Sequence, residues 1–275
     1  MKKNQSTTAG KGNSSGHRPR KRFGQNFLHD RAVIEQIIQA FDPDPELAIV
    51  EIGPGQGALT LPLLQLAGRL TAIEIDRDLA SALADKCRAA GELKLHVADA
   101  LKFDFSTLHP APIQVIGNLP YNISTPLIFH LLKTSAQTRV MLLMLQKEVA
   151  DRICALHDQA DYGRLSVMVQ SCCLVEKLFE VPASAFTPAP KVTSAVVQLR
   201  PNPVRAGTIN DTKLLADVVR QAFAQRRKTL RNALRGLLDE NCLHSVSISP
   251  ACRPENVSVE DYIKLANVLY KLQNQ

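Results

Sequence analysis

From residue 47 the chain alternates short apolar runs with longer stretches whose apolar residues recur every three or four positions. The runs LAIVEI (47–52), RLTAIEI (69–75), LKLHVA (93–98), IQVIG (113–117) and VMLLMLQ (140–146) are short and nearly continuous, as buried strands are. Between them lie three stretches with helical spacing: ALTLPLLQLA (58–67), closed by Gly68; RDLASALADKCRAA (77–90), closed by Gly91; and TPLIFHLLK (125–133), with Pro126 near its start. A further helix is expected from about Lys147. Upstream, Val33, Ile34, Ile37 and Ile38 predict a helix over about 30–40 with Asp30 as its cap. Repeated strand–helix units predict an α/β fold with a mostly parallel sheet covered on both faces. The strand pattern ends with SAVVQLR (194–200), and Pro201 and Pro203 mark a boundary. The chain thus reads as a polar, basic arm over 1–20, expected to be disordered, an α/β domain over 21–202 and a small all-helical domain over 203–275.

Composition adds a partner class. At 275 residues and 45% hydrophobic, the chain can bury one large core and a small one. A formal charge of +7 favours a polyanionic partner, of which nucleic acid is the commonest soluble kind. Cysteines 87, 154, 172, 173, 242 and 252 form no CxxC pair and no disulfide framework, which suits the reduced thiols of a cytosolic protein. No run reaches about 18 apolar residues, so no membrane span is expected. No apolar stretch follows the N-terminal charges, so no secretory signal is expected.

The chemistry concentrates where strands end. In an open parallel sheet the ligand lies beyond the carboxyl ends of the strands. There the sequence places GPGQG, with Gly53, Gly55 and Gly57 at alternate positions, then Glu74, then Asp99. Glycines let a ligand approach the backbone, and the following helix start offers free N–H groups. The spacing is not G-x-G-x-x-G, because the third glycine falls one residue early, and this disfavours a dinucleotide oxidoreductase. Glu74 can accept from ribose hydroxyls and Asp99 from an exocyclic amine such as that of adenine. The set fits a nucleoside joined to an amino acid, which S-adenosyl-L-methionine is. Glu51 either holds the glycine loop through backbone N–H groups or faces the sulfonium or ammonium.

The fourth strand ends in GNLPY (117–121). The amine of adenine is a poor nucleophile because its lone pair is delocalised into the ring. Two acceptors on its two N–H groups hold the nitrogen toward tetrahedral geometry and expose that pair. The Asn118 side-chain oxygen and the Leu119 carbonyl supply them, with Pro120 biasing Leu119 toward extended geometry. Tyr121 offers a face for a stacked base.

With these motifs placed, the sequence closely resembles the bacterial ribosomal RNA adenine N6,N6-dimethyltransferases of the small subunit, from about Arg20 to about Tyr270. The motifs are KRFGQNFL (21–28), VEIGPGQGALT (50–60), IEIDRDLA (73–80), GNLPYNISTPL (117–127), MLQKEVADR (144–152), YGRLSVM (162–168), FTPAPKVTSAV (186–196) and FAQRRKTLRNAL (223–234). The resemblance implies a Rossmann-like methyltransferase domain and two methyl transfers to each of two adjacent adenosines in the 3′-terminal hairpin of 16S rRNA. It implies S-adenosyl-L-methionine as donor, no metal, a cytoplasmic monomer, and the assembling small subunit as partner. It assigns the cofactor to Gln25, Asn26, Leu28, Glu51, Gly53, Gly55, Glu74, Asp99 and Asn118. The base goes to Asn118, Leu119 and Tyr121, with Phe186 stacking on its other face. The chain departs from the family pattern at Thr193, where Asp is usual. A relative acting on large-subunit rRNA and a non-catalytic RNA-binding relative are the rival readings; FTPAPKVTSAV disfavours the first and the intact GNLPY the second.

The segment QRRKTLRNALRG (225–236) carries Arg226, Arg227, Lys228, Arg231 and Arg235. On one helix, i, i+4 spacing brings Arg227, Arg231 and Arg235 to a common face, a candidate RNA-phosphate contact. The cluster HRPRKR (17–22) can do the same as an arm.

Overall fold

The computed structural model describes residues 25–274; the 1–20 arm and the 17–22 cluster lie outside them. The elements in chain order are β1 (Phe27–Leu28), α1 (Arg31–Phe41), β2 (Ala48–Ile52), α2 (Thr60–Ala67), β3 (Arg69–Glu74), α3 (Arg77–Cys87) and β4 (Glu92–Val97). Then come β5 (Ile113–Asn118), α4 (Ser124–Leu132), β6 (Thr138–Gln146), α5 (Lys147–Cys154), α6 (Arg164–Gln170), β7 (Cys173–Val181), β8 (Phe186–Thr187) and β9 (Ser194–Pro201). Helices alone follow: α7 (Pro203–Ala206), α8 (Thr212–Ala224), α9 (Leu230–Ala233), α10 (Glu240–Ser245) and α11 (Val259–Gln273).

Seven strands form one sheet in the order β4-β3-β2-β5-β6-β9-β7. The first five are parallel, as alternating strands and helices require; β9 runs antiparallel between β6 and β7. The apolar runs serve two faces at once, which explains why they look continuous rather than alternating. Val50, Val115, Leu143 and Val197 enter the core beneath α4, α5 and α6. Their neighbours Ile49, Ile116, Leu142 and Val196 enter the opposite core with α1 and α2. The cap of α1 is as expected: Asp30 Oδ1 accepts from the Ala32 and Val33 N–H groups at 3.0 and 3.3 Å.

The C-terminal helices have their own apolar cluster, including Leu215, Val218, Leu230, Leu234, Tyr262 and Leu265, and it takes in Ala155, Tyr162 and Val167 from around α6. The two fully buried tyrosines each find an acceptor: Tyr162 donates to the Val257 carbonyl at 2.9 Å and Tyr262 to the Pro254 carbonyl at 2.8 Å.

The structure departs from the pattern-based expectations in three places. First, β1 and β8 form a separate two-stranded antiparallel sheet, pairing Phe27 with Thr187 and Leu28 with Phe186. Second, α4 begins at Ser124, one residue before the expected Thr125, and the Ser124 hydroxyl donates to the Tyr121 carbonyl at 3.2 Å. Third, residues 225–235 are not one helix. α8 stops at Ala224, and the Leu230 and Arg231 N–H groups donate to the Cys252 and Pro250 carbonyls instead of to carbonyls one turn back. Arg227, Arg231 and Arg235 therefore do not share a helical face.

Candidate active site

At the carboxyl ends of β2, β3, β4 and β5 lies a cavity of about 340 Å³. The strand-end residues meet there. Glu51 and Gly53 come from the end of β2, Glu74 from β3, Asp99 from just beyond β4, and Asn118, Leu119 and Tyr121 from β5 and its turn. Gln25, Asn26 and Leu28 close the cavity from the N-terminal side.

The glycine loop is shaped by positive φ angles, 56° at Gly55 and 82° at Gly57. A Cβ on Gly55 would lie 3.3 Å from the Phe27 ring, and one on Gly57 would lie 2.6 Å from Leu83 Cδ1. The loop can thus lie under β1 and against α3 only with glycine at these two positions. Glu74 braces it: Oε2 accepts from the Gly55 N–H at 3.1 Å and Oε1 from the Asp76 N–H at 2.9 Å. Burial pushes the Glu74 carboxyl up, and these backbone donors oppose the rise. Gln25 Nε2 donates to Asp76 Oδ2 at 3.3 Å, so the N-terminal segment is tied to the end of β3.

Glu51 differs. It is 2% exposed, lines the cavity, and its Oε2 has no hydrogen-bond partner; the nearby Thr60 hydroxyl makes none of ordinary geometry either. Burial pushes its carboxyl up to about 7; the Thr60 hydroxyl opposes this and the Glu74 charge adds to it. It does not brace the loop through backbone N–H groups. A buried, unsatisfied carboxyl oxygen facing a cavity suits a cationic ligand group. Asp99 Oδ1 accepts from the Leu101 N–H at 3.0 Å, and Oδ2 carries no hydrogen bond among the described residues. Orphaned acid, open carboxylate oxygen and glycine-rich loop together fit the nucleoside–amino acid ligand inferred from the sequence.

At the β5 end, Asn118 Nδ2 donates to the Asn26 carbonyl at 3.2 Å, which leaves Oδ1 as the free acceptor. The Leu119 N–H donates to the Met144 carbonyl at 3.1 Å, and among the described residues no donor reaches the Leu119 carbonyl. Tyr121 Oη lies 2.7 Å from Ser194 Oγ. Thr193 enters this region through its carbonyl, which accepts from the Lys147 N–H at 2.9 Å, a contact indifferent to its side chain.

Two cavity residues carry no signal in the motifs: Ile75, 45% exposed, and Leu101. Each follows an acid of the site by one or two positions, and the exposure that marks Ile75 is visible only in the structure. Phe186 is not brought to the cavity. It is 2% exposed, paired with Leu28 and packed in the core with Phe41, so it offers no open face as placed. The basic residues lie in the helical region. Arg226 pairs with Glu255 at 2.6 Å and donates to the Ala160 carbonyl at 2.7 Å, and Arg231 pairs with Glu240 at 2.7 Å. Arg227 and Lys228 are exposed with no ion pair among the described residues. No cluster of three or more His, Cys, Asp or Glu among the described residues is placed to hold a metal ion, and no helix among them is long and apolar enough to cross a membrane.

Comparisons with known proteins agree with this geometry. The family described as Ribosomal RNA adenine dimethylase matches residues 16–271. A protein of Nitrosococcus oceani named Ribosomal RNA small subunit methyltransferase A is 54% identical over 264 residues, 95% of this chain and 100% of its own length. A protein of Chromobacterium violaceum with the same name is 52% identical over 256 residues, 93% of this chain and 97% of its own. Among solved structures, a dimethyladenosine transferase from Plasmodium falciparum superposes with a TM-score of 0.77 at 28% identity, covering 86% of this chain and 95% of its own. The 23S rRNA methyltransferase ErmE superposes with a TM-score of 0.69 at 26% identity, covering 89% and 100%. A strand-end cavity with its acids, an Asn-Leu-Pro-Tyr turn beside it and a match along nearly the whole chain make this protein a member of the ribosomal RNA adenine dimethylase family.

Proposed function

We propose that the protein dimethylates the N6 amines of two adjacent adenosines in the 3′-terminal hairpin of 16S rRNA, using S-adenosyl-L-methionine, during small-subunit biogenesis. The observation that carries this reading is the convergence of Glu51, Glu74, Asp99 and the Asn118–Tyr121 turn on one cavity. The names of the relatives at about half identity favour small-subunit over large-subunit RNA.

S-adenosyl-L-methionine supplies an electrophilic methyl group. Glu74 takes the ribose hydroxyls on its remaining lone pairs, Asp99 Oδ2 takes the adenine amine, and Ile75 and Leu101 face its ring. Glu51 takes the ammonium. Gln25, Asn26 and Leu28 cover the donor and exclude water. Asn118 Oδ1 and the Leu119 carbonyl accept from the two N–H groups of the target amine, and Tyr121 stacks on the flipped base. Catalysis then rests on positioning. No strong base is required, because the methylated ammonium loses its proton readily. After the first transfer one N–H remains, so one acceptor loses its partner and the site must admit a methyl group. Stacking by Phe186 requires the 186–193 segment to swing out of the core on RNA binding.

Arg227 and Lys228 are the proposed phosphate contacts of the helical domain, and Arg226 and Arg231 join them only by leaving their acids. The assembling subunit is the proposed substrate, met by a monomer in the cytoplasm. The test is transfer of labelled methyl to undermodified small subunits. N6,N6-dimethyladenosine in the digest is expected, and label on large-subunit RNA instead overturns the reading.

A further inference from the structure

Ser194 opens β9 and is fully buried, as are the five residues that follow it. A hydroxyl buried in such a run is costly unless it is bonded. Its partner is the phenol of Tyr121, at 2.7 Å. Ser194 is also among the most constrained positions of the sheet, because β9 is paired on both sides. It faces Gln146 of β6 and Val181 of β7, and the carbonyl of its neighbour Thr193 is held by the Lys147 N–H.

The main chain around Tyr121 is pinned separately. The Leu119 N–H donates to the Met144 carbonyl, the Ile123 N–H to the Pro120 carbonyl at 3.1 Å, and the Ser124 hydroxyl to the Tyr121 carbonyl. What those bonds leave free is the rotation of the ring about its two side-chain torsions. A tether at the far end of the ring fixes the direction of the ring axis, and so its first torsion, before any base arrives, which is how a stacking surface becomes preorganised. Both anchors of the turn stand on one antiparallel pair: Met144 faces Val196, and Gln146 faces Ser194. The carbonyl proposed to hold the amine and the ring proposed to stack on the base are thus set against a single ladder. Burial pushes the Tyr121 phenol up, with the Ser194 bond opposing, so the contact is a neutral hydrogen bond.

We propose that Ser194 is a positioning residue for the methyl transfer, fixing through its hydroxyl the direction in which the Tyr121 ring extends. This rests on the reading of Tyr121 as the base platform. A serine that merely satisfied its own buried hydroxyl would affect melting and leave turnover alone.

The test is a double-mutant cycle of Ser194→Ala and Tyr121→Phe, with Tyr121→Ala beside it. Methyl transfer to undermodified small subunits is read as kcat and KM, and S-adenosyl-L-methionine affinity by calorimetry. Each single change of the cycle is expected to lower kcat by a few-fold to about tenfold, the scale of one hydrogen bond, with cofactor affinity unchanged. The double variant is expected to be no worse than the poorer single, since both remove one bond. Multiplying losses, or unchanged kcat in Tyr121→Phe, overturn the proposal. Should Ser194→Ala fail to fold, Tyr121→Phe removes the same bond from the other side and still decides. Tyr121→Ala separates the two layers. If it turns over like the wild type, the platform reading itself falls; if it is impaired while Tyr121→Phe is not, the platform stands and the role of Ser194 falls.

Discussion

The cavity and the basic segment of the helical region treat charge in opposite ways. The cavity holds few charged groups, two of them with an oxygen left open: Glu51 is 2% exposed with an orphaned Oε2, and half-buried Asp99 keeps one oxygen free. The segment 225–235 holds many, exposed and in part engaged: Arg226 has Glu255 and Arg231 has Glu240. A density of arginines in a sequence therefore says less about a binding surface than one buried acid without a partner. An exposed ion pair contributes only about 0–1 kcal/mol, whereas an unsatisfied buried carboxyl is tolerated where a ligand completes it.

The sharpest break of this contrast is Asn118→Ala. It is expected to cut methyl transfer by about 100-fold or more, the scale of losing one preorganised polar contact in a transition state. Cofactor affinity measured by calorimetry is expected to fall far less than turnover. Unchanged turnover would remove the acceptor role. Next comes Glu74→Ala, which deletes both the brace on the Gly55 N–H and the proposed ribose contact. Cofactor affinity is expected to fall about 10- to 100-fold, the scale of one or two charge-assisted hydrogen bonds. Unchanged affinity would sever the loop geometry from binding.

Glu51 tests the contrast through pH. Its folded carboxyl sits at about 7, above its ordinary value of 4.5, so between those values the folded state binds more protons than the unfolded one. Stability then falls as pH rises through that window, by a few kcal/mol at most. Glu51→Gln is expected to lack this loss and to melt higher than wild type at pH 8, with the difference closing toward pH 4.5. Parallel melting curves across that range would show that Glu51 is not held protonated by burial. The smallest effects belong to the basic segment. Neutralising Arg227 and Lys228 together is expected to lower the salt dependence of RNA binding by about 1–2 in log–log slope, without changing the melting temperature. Arg226→Ala is expected instead to cost up to about 1 kcal/mol of stability. Equal salt slopes in both variants would erase the distinction between paired and unpaired arginines.

The sequence made the cavity legible because it is built from strand ends. Once the apolar runs were ordered, Glu51, Glu74, Asp99 and Asn118 had only one side of the sheet on which to meet. The sequence hid what depends on distant backbone donors. Nothing in QRRKTLRN breaks a helix, yet the carbonyls of Pro250 and Cys252 capture the N–H groups that would continue it. Two-residue strands such as Phe27–Leu28 and Phe186–Thr187 have no period to detect. Phe186 looked available for stacking because a motif does not show that its ring is packed against the cover of the cavity. Ile75 and Leu101 were missed because an apolar residue beside an acid looks like any other strand residue until the strand is seen to end in open space.

The pairing of β1 with β8 also sets a timetable for synthesis. Asn26 orients the Asn118 amide, and Phe27–Leu28, immediately after it, find their strand partner only at Phe186–Thr187. β7, made before β9, likewise has no neighbour in the sheet until Ser194–Pro201 arrives to sit between it and β6. Contacts of such long sequence separation form late. A growing chain can complete its glycine loop and the parallel strands early, but the cover finds its strand partner only after Phe186–Thr187, and the tyrosine tether forms only after residue 194 has been added. Truncation between α4 and β8 is therefore expected to remove the partner of β1 and the tyrosine tether while leaving the Gly53–Glu74 loop to form.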